Sequence, residues 1–289
     1  MNFKNQFSKL LKLYENITND YLGLIAAGVA FYLLLAAFPA MAALVSLYGL
    51  FSDPHFVAEQ INLLERFLPP QSLEIFTEQA TKLVSADQKA LGFGFIVSLV
   101  IAIYSATKGI GALIQGMNIA FDEKETRNFF KLTVTEYTLT FIVLAYVLIA
   151  LTLIAALPVI LNMLFIPKTY LFLRWPLLFF TGIVGVQMLY SYGPSHARYK
   201  WQWMSIGAFA ASILWVGISI GFSYFVQNFG SYNETYGSIS AIIILLLWLW
   251  LSAIAILVGA EINNIYSKTT AYKRHPQEEP PEDLKSALH

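Results

Sequence analysis

Residues 22 to 51 run for thirty positions without a charged side chain, and no other feature restricts the fold of this chain so much. A helix rising 1.5 Å per residue needs roughly 20 apolar residues to cross a hydrocarbon core of about 30 Å. Comparable segments follow at about 91–106, 138–166, 170–191, 205–226 and 238–262. The second falls short unless it runs on through Ser105, Thr107 and Lys108 into the glycine-rich GIGALIQGMNIAF. These segments are continuously apolar and lack the period-two alternation of barrel strands, so helices are expected. The expectation is an all-α, polytopic membrane bundle of about six transmembrane helices. Composition agrees, with 57% hydrophobic and 12% charged residues, against about 45–50% and about 25% in soluble domains.

The basic residues orient the spans. Thirteen of the eighteen fall on one side: Lys4, Lys9, Lys12, Lys108, Lys124, Arg127, Lys131, Arg198, Lys200, Lys268, Lys273, Arg274 and Lys285. The remaining five, Arg66, Lys82, Lys89, Lys168 and Arg174, fall on the other. Both termini are therefore expected in the cytoplasm. Residues 1–20 read as an amphipathic cytoplasmic lead-in. A signal peptide is rejected there, because the apolar stretch beginning at Leu22 far exceeds the roughly 7–15 residues of a signal core. Residues 21–266 form the membrane domain, with 52–90 as an extracytoplasmic loop of two short amphipathic helices broken at Pro69-Pro70. Residues 267–289, with three prolines and an acidic run, are expected to be disordered.

Polar side chains inside spans are costly and become the candidate site. They are Lys108 at the end of the second span, Glu136 entering the third, Gln187 in the fourth, and Glu261 with Asn263 and Asn264 closing the sixth. Lys108 and Glu136 suit either pairing across a cytoplasmic mouth or snorkelling to the interface. A carboxylate at a helix C-terminus opposes the helix dipole, so Glu261 calls for a basic partner such as Arg127 or Arg198. Small residues four apart, Ser105 with Gly109 and Gly217 with Gly221, predict close helix packing. Pro39 and Pro158 inside spans predict kinks. Trp201, Trp203, Trp248 and Trp250 read as interfacial anchors.

Other chemistry has little support. The chain has no cysteine, and its four histidines, His55, His196, His275 and His289, are scattered without metal-ligand spacing. Neither a GxSxG elbow nor a GxxxxGK[ST] loop occurs. No catalytic residue, metal or cofactor is expected. A net charge of zero gives no whole-chain attraction to nucleic acid. The expected partners are membrane lipids and a lipid or small-solute substrate, and a homo-oligomer stays open.

Four stretches together resemble the YihY/BrkB family of bacterial inner-membrane proteins. They are AAGVAFYLLLAAFPAMAAL, SATKGIGALIQGMNIAFDEKETR with Asn118, Ala120, Glu125 and Arg127, YSYGPSHARYKWQW with Pro194, and YGSISAIIILLLWLWLSAIAILVGAEINN with Gly237 at its start. The resemblance runs from about residue 20 to 266. Asp122 stands where the family often has glycine, and Ser195-His196 replaces a more usual Asn-Arg. The family once bore the name ribonuclease BN, against which the absent ligand cluster argues. Members have been linked to serum resistance, envelope-lipid transport and solute export. The resemblance thus implies a transport-like or envelope role in the inner membrane. The leading expectation is a lipid or solute translocator whose cytoplasmic mouth comprises Lys108, Asn118, Arg127, Glu136 and Glu261. The alternative is a non-transporting envelope-assembly scaffold acting through residues 52–90.

Overall fold

The computed structural model describes residues 3–51, 88–163, 174–195, 204–228 and 238–274. Seven helices account for nearly all of them: α1 (Phe3–Asn19), α2 (Leu22–Phe51), α3 (Gln88–Ala120), α4 (Phe129–Met163), α5 (Arg174–Tyr192), α6 (Ile206–Asn228) and α7 (Ser238–Arg274). No strand occurs among the described residues. Five helices, α2, α3, α4, α6 and α7, are long and apolar enough to cross a membrane. The expected fourth span corresponds to α5, a 19-residue helix carrying Gln187 that is not one of those five. The first residues of that segment, and most of the 52–90 loop, lie outside the described residues.

Two spans extend beyond their apolar cores, the first of them in the way the sequence reading required. The short second span is completed as α3, 33 residues long, because its glycine-rich half stays helical once its backbone is packed. The sixth continues to Arg274, so residues 267–274 are helical rather than disordered.

The chain divides into two compact units, one of residues 1–32 with 107–289, the other of residues 33–106. In the second, α2 and α3 expose Phe38, Met41, Leu44, Phe93, Ile96 and Val100, and Pro39 lies inside α2. The first unit, which carries the candidate site, has an inverted apolar pattern. Large side chains such as Leu24, Phe31, Leu148, Ile220 and Tyr224 point outward, while Ala26, Ala30, Ala120, Ala208, Ala255 and Ala260 are buried. Where lipid is the solvent, helices associate by close packing of small residues and leave their large apolar side chains facing out.

The contacts within this unit show how its helices run. Along α6 and α7, Gly207 lies against Gly259 and Asn263, Ala211 against Gly259, and Trp215 bonds Ser252. One register rises as the other falls, so the two helices are antiparallel. A Cβ at Gly259 would stand 2.5 Å from both Ala211 Cβ and Tyr190 Oη. At Gly217 and Gly221, by contrast, it would meet nothing within 4 Å. The small-residue seam is therefore one helical stretch earlier than the sequence spacing indicated, where Gly207 and Ala211 oppose Gly259. Helix α5 packs antiparallel on α6 through Gln187 with Ser205 and Phe179 with Phe209. Tyr146 of α4 donates its hydroxyl to the Thr181 carbonyl, and its ring edge lies 3.0 Å from where a Cβ of Gly185 would stand. Pro158 lies within the range of α4 and Gly109, a buried residue, within α3. Gly237 lies outside the described residues.

Candidate functional site

Within the first unit, the C-terminal ends of α1, α3 and α5, the N-terminal ends of α4 and α6, and the last third of α7 converge. Local sequence explains each end. Asn128 caps α4 by accepting the Lys131 N–H at 2.9 Å, and Ser205 caps α6 by accepting the Ala208 N–H at 3.1 Å. Helix α3 ends in a doubly bonded C-terminal turn: Glu123 N–H donates to Asn118 O at 2.8 Å and Asp122 N–H to Ile119 O at 2.9 Å. That turn requires a left-handed residue, and Asp122 adopts φ 54°. Glycine is the usual occupant of such a position. Aspartate tolerates it, and Asn264 of α7 donates to both Asp122 Oδ2 at 3.1 Å and Ala120 O at 3.0 Å.

The turn leads into a clamp. Glu125 receives Arg127 Nε at 2.8 Å on Oε1 and Arg127 Nη2 at 2.7 Å on Oε2. The Arg127 backbone N–H adds a third bond at 2.9 Å and Asn118 Nδ2 a fourth, also at 2.9 Å. These hydrogen bonds, Arg127's side chain first among them, hold the Glu125 carboxyl at about 2, well below the usual carboxylate range, against an opposing desolvation effect. Arg127 also donates to Gly193 O at 2.9 Å, and Asn118 Oδ1 accepts the Ser195 N–H at 2.8 Å. Ser195 Oγ in turn accepts the Thr126 N–H at 3.0 Å. The α3–α4 connection is thereby tied to the end of α5, beside buried Pro194. Gly193 fits there because a Cβ would strike the Met117 side chain.

The other candidates sit deeper. Gln187, 2% exposed, accepts the Ser205 N–H at 3.0 Å and donates to Ser191 Oγ at 3.2 Å. Asn263, also buried, packs under Gly207. Glu261, 1% exposed, accepts Asn16 Nδ2 of α1 at 3.0 Å and has the Asp20 carboxyl within hydrogen-bonding reach, with Asp122 as a further negative neighbour. Arg127, one partner suggested for Glu261 by its helix position, is instead engaged by Glu125 and Gly193 O. Arg198, the other, lies outside the described residues. Glu136, 8% exposed, lies with its carboxylate against Gly111 of α3, and Lys108 and Arg127 are the cations acting on it. Among the described residues, no group of three His, Cys, Asp or Glu side chains is placed to hold a metal ion.

Sequence reasoning found Asn118, Glu125, Arg127, Glu136, Gln187 and Glu261 but missed Asn16 and Asp20 as neighbours of Glu261, and Thr126 as part of the clamp. Asn16 near the end of α1 and Asp20 in the turn that follows it were the available signal.

Comparison with known proteins agrees in kind. The family described as virulence factor BrkB matches residues 13–283. The ribonuclease-like protein YfkH of Bacillus subtilis strain 168 is 30% identical over 270 residues, 88% of this chain and 92% of that protein. The UPF0761 membrane protein VP0125 of Vibrio parahaemolyticus is 26% identical over 86% of this chain and 79% of its own length. A UPF0761 membrane protein of Tolumonas auensis is 36% identical over a shorter stretch, 27% of this chain and 25% of that protein. No solved structure matches.

Proposed function

Because the chain belongs to the virulence factor BrkB family of membrane proteins, we propose that it translocates a lipid or small solute across the bacterial inner membrane. The substrate enters where these six helices converge, on the side the basic residues assign to the cytoplasm. The observation that supports this reading is the burial of Asn118, Glu136, Gln187, Glu261, Asn263 and Asn264 at one end of an apolar bundle. Polar side chains within spans are costly, face the bundle interior and mark substrate or ion pathways. A purely scaffolding bundle gains nothing from two carboxylates at such depth. Basic pockets between helices bind lipid headgroups, and Lys108 is the half-buried cation of this region whose position on α3 faces Glu136.

The clamp narrows the binding role first expected of Arg127. Its guanidinium serves Glu125 and Gly193 O, so it shapes the mouth, and the headgroup role is assigned here to Lys108, which shares the Gly111 face of α3. The ribonuclease-like name of YfkH belongs to that protein.

The test is mass spectrometry of the protein extracted in native-lipid nanodiscs, wild type beside Lys108→Glu. Enrichment of one lipid class in the wild type, lost in the variant, is the expected result. Bulk lipid in both samples removes the headgroup role and favours an exporter of soluble solutes or an envelope-assembly scaffold.

A further inference from the structure

Glu136 stands about two turns into α4, within a membrane-spanning stretch, and is 8% exposed. No described residue gives its carboxylate a hydrogen bond or an ion pair. Its Oε1 lies 2.7 Å from where a Cβ of Gly111 would stand, so the glycine leaves the space the carboxyl occupies. Lys108 precedes Gly111 by three residues and shares that face of α3. The charged groups acting on Glu136 are Lys108 from α3 and Arg127 and Glu125 from the α3–α4 connection. On α4 itself its neighbours a turn away are Thr133 and Thr140, with Tyr137 adjacent.

Glu261 provides the contrast: buried more deeply still, it has the Asn16 amide as a donor. An ionised carboxylate without any donor costs several kcal/mol in such surroundings. A bound cation would remove that cost, but metal ions of the sodium or calcium kind need several oxygen ligands, and among the described residues no group of three His, Cys, Asp or Glu side chains is placed to hold one. A proton needs one oxygen.

We propose that Glu136 is a proton-binding site of the bundle, loaded from the end where the helices converge and emptied when the Lys108 ammonium draws near. Its use in driving transport rests on the translocation reading; the proton site itself does not. Each cycle moves one proton onto and off a single carboxyl oxygen, with no bond to carbon made or broken.

A carbodiimide distinguishes the two states, because dicyclohexylcarbodiimide reacts with protonated, apolar-embedded carboxyls. The acid O–H adds across one C=N bond and the adduct rearranges to a stable N-acylurea, with no leaving group. The full chain in nanodiscs is treated across a pH series and the adduct at Glu136 is quantified by peptide mass spectrometry. Labelling at Glu136 that declines several-fold as pH rises is expected. Lys108→Gln, which removes the opposing positive charge, shifts the midpoint upward by about one pH unit, an effect typical of a neighbouring charge. Lys108→Arg leaves it in place. An unlabelled Glu136, labelling independent of pH, or a midpoint indifferent to Lys108→Gln overturns the proposal. None of these readouts depends on transport, so a failed transport assay with intact labelling refutes the translocation reading alone.

Discussion

Replacing Gly259 by alanine tests whether the α6–α7 seam organises the bundle. The new methyl would stand 2.5 Å from Ala211 Cβ, 2.5 Å from Tyr190 Oη and 2.7 Å from the Gly207 carbonyl. Carbon–carbon contacts settle at about 3.5–4.0 Å, so the helices must separate by roughly 1 Å. Two of the three obstacles cannot rotate away, since one is a β-carbon and one a backbone oxygen. Overpacking of this kind costs about 1–3 kcal/mol, and losing the Tyr190 bond to Ile256 O, now 2.5 Å, adds about 1 kcal/mol. Alanine's better helix propensity returns about 1 kcal/mol. The net expectation is a loss of about 1–3 kcal/mol. Gly217→Ala is the matched control: it lies on the same helix pair, its Cβ meets nothing within 4 Å, and only the propensity gain remains. Thermal unfolding in mild detergent, followed by tryptophan fluorescence, gives both numbers. Equal Tm values for Gly259→Ala and wild type, or equal losses for the two variants, would refute the assignment of the seam.

Two further predictions concern the clamp. The Glu125 carboxyl is held near 2, so its contribution is complete above the unfolded value of about 4.3 and disappears as pH falls through 2. The shift corresponds to about 3 kcal/mol in full, reduced by solvent screening at this partly exposed site to about 1 kcal/mol. Unfolding of Glu125→Gln should therefore lose that much stability at pH 7 and show a flatter acid limb in a pH series. Asn118→Leu removes the side chain that joins Glu125 to the Ser195 N–H; leaving partners unsatisfied costs about 1–3 kcal/mol, read as faster amide exchange at residues 123–127 and 193–195, with exchange in α7 unchanged.

Much of the architecture could be read from sequence because it follows from length and apolarity alone. An uncharged stretch such as 22–51 has few alternatives. The clamp was half legible: Asn118, Glu125 and Arg127 are close in sequence, whereas Gly193 and Ser195 reach them only once α5 is in place. Glu261 shows the limit most clearly. Its helix position argued for a basic partner, yet the fold supplies Asn16, 245 residues away. The small-residue seam was misplaced for a related reason. Four-residue spacing says that Gly217 and Gly221 share a face, but only the neighbouring helices decide which face is covered.

The interlock of Gly207, Ala211 and Gly259 has a mechanical corollary. Backbones that touch at glycine leave no side-chain layer to act as a bearing, so α6 and α7 cannot slide past each other and must travel as one lever. Compliance has to come from elsewhere. Between α4 and α5 the interface is built differently: the ring of Tyr146 is set into the space left by Gly185 and held by one hydroxyl bond to Thr181, a ball in a socket about which α5 can swing while its far end stays fastened by Arg127.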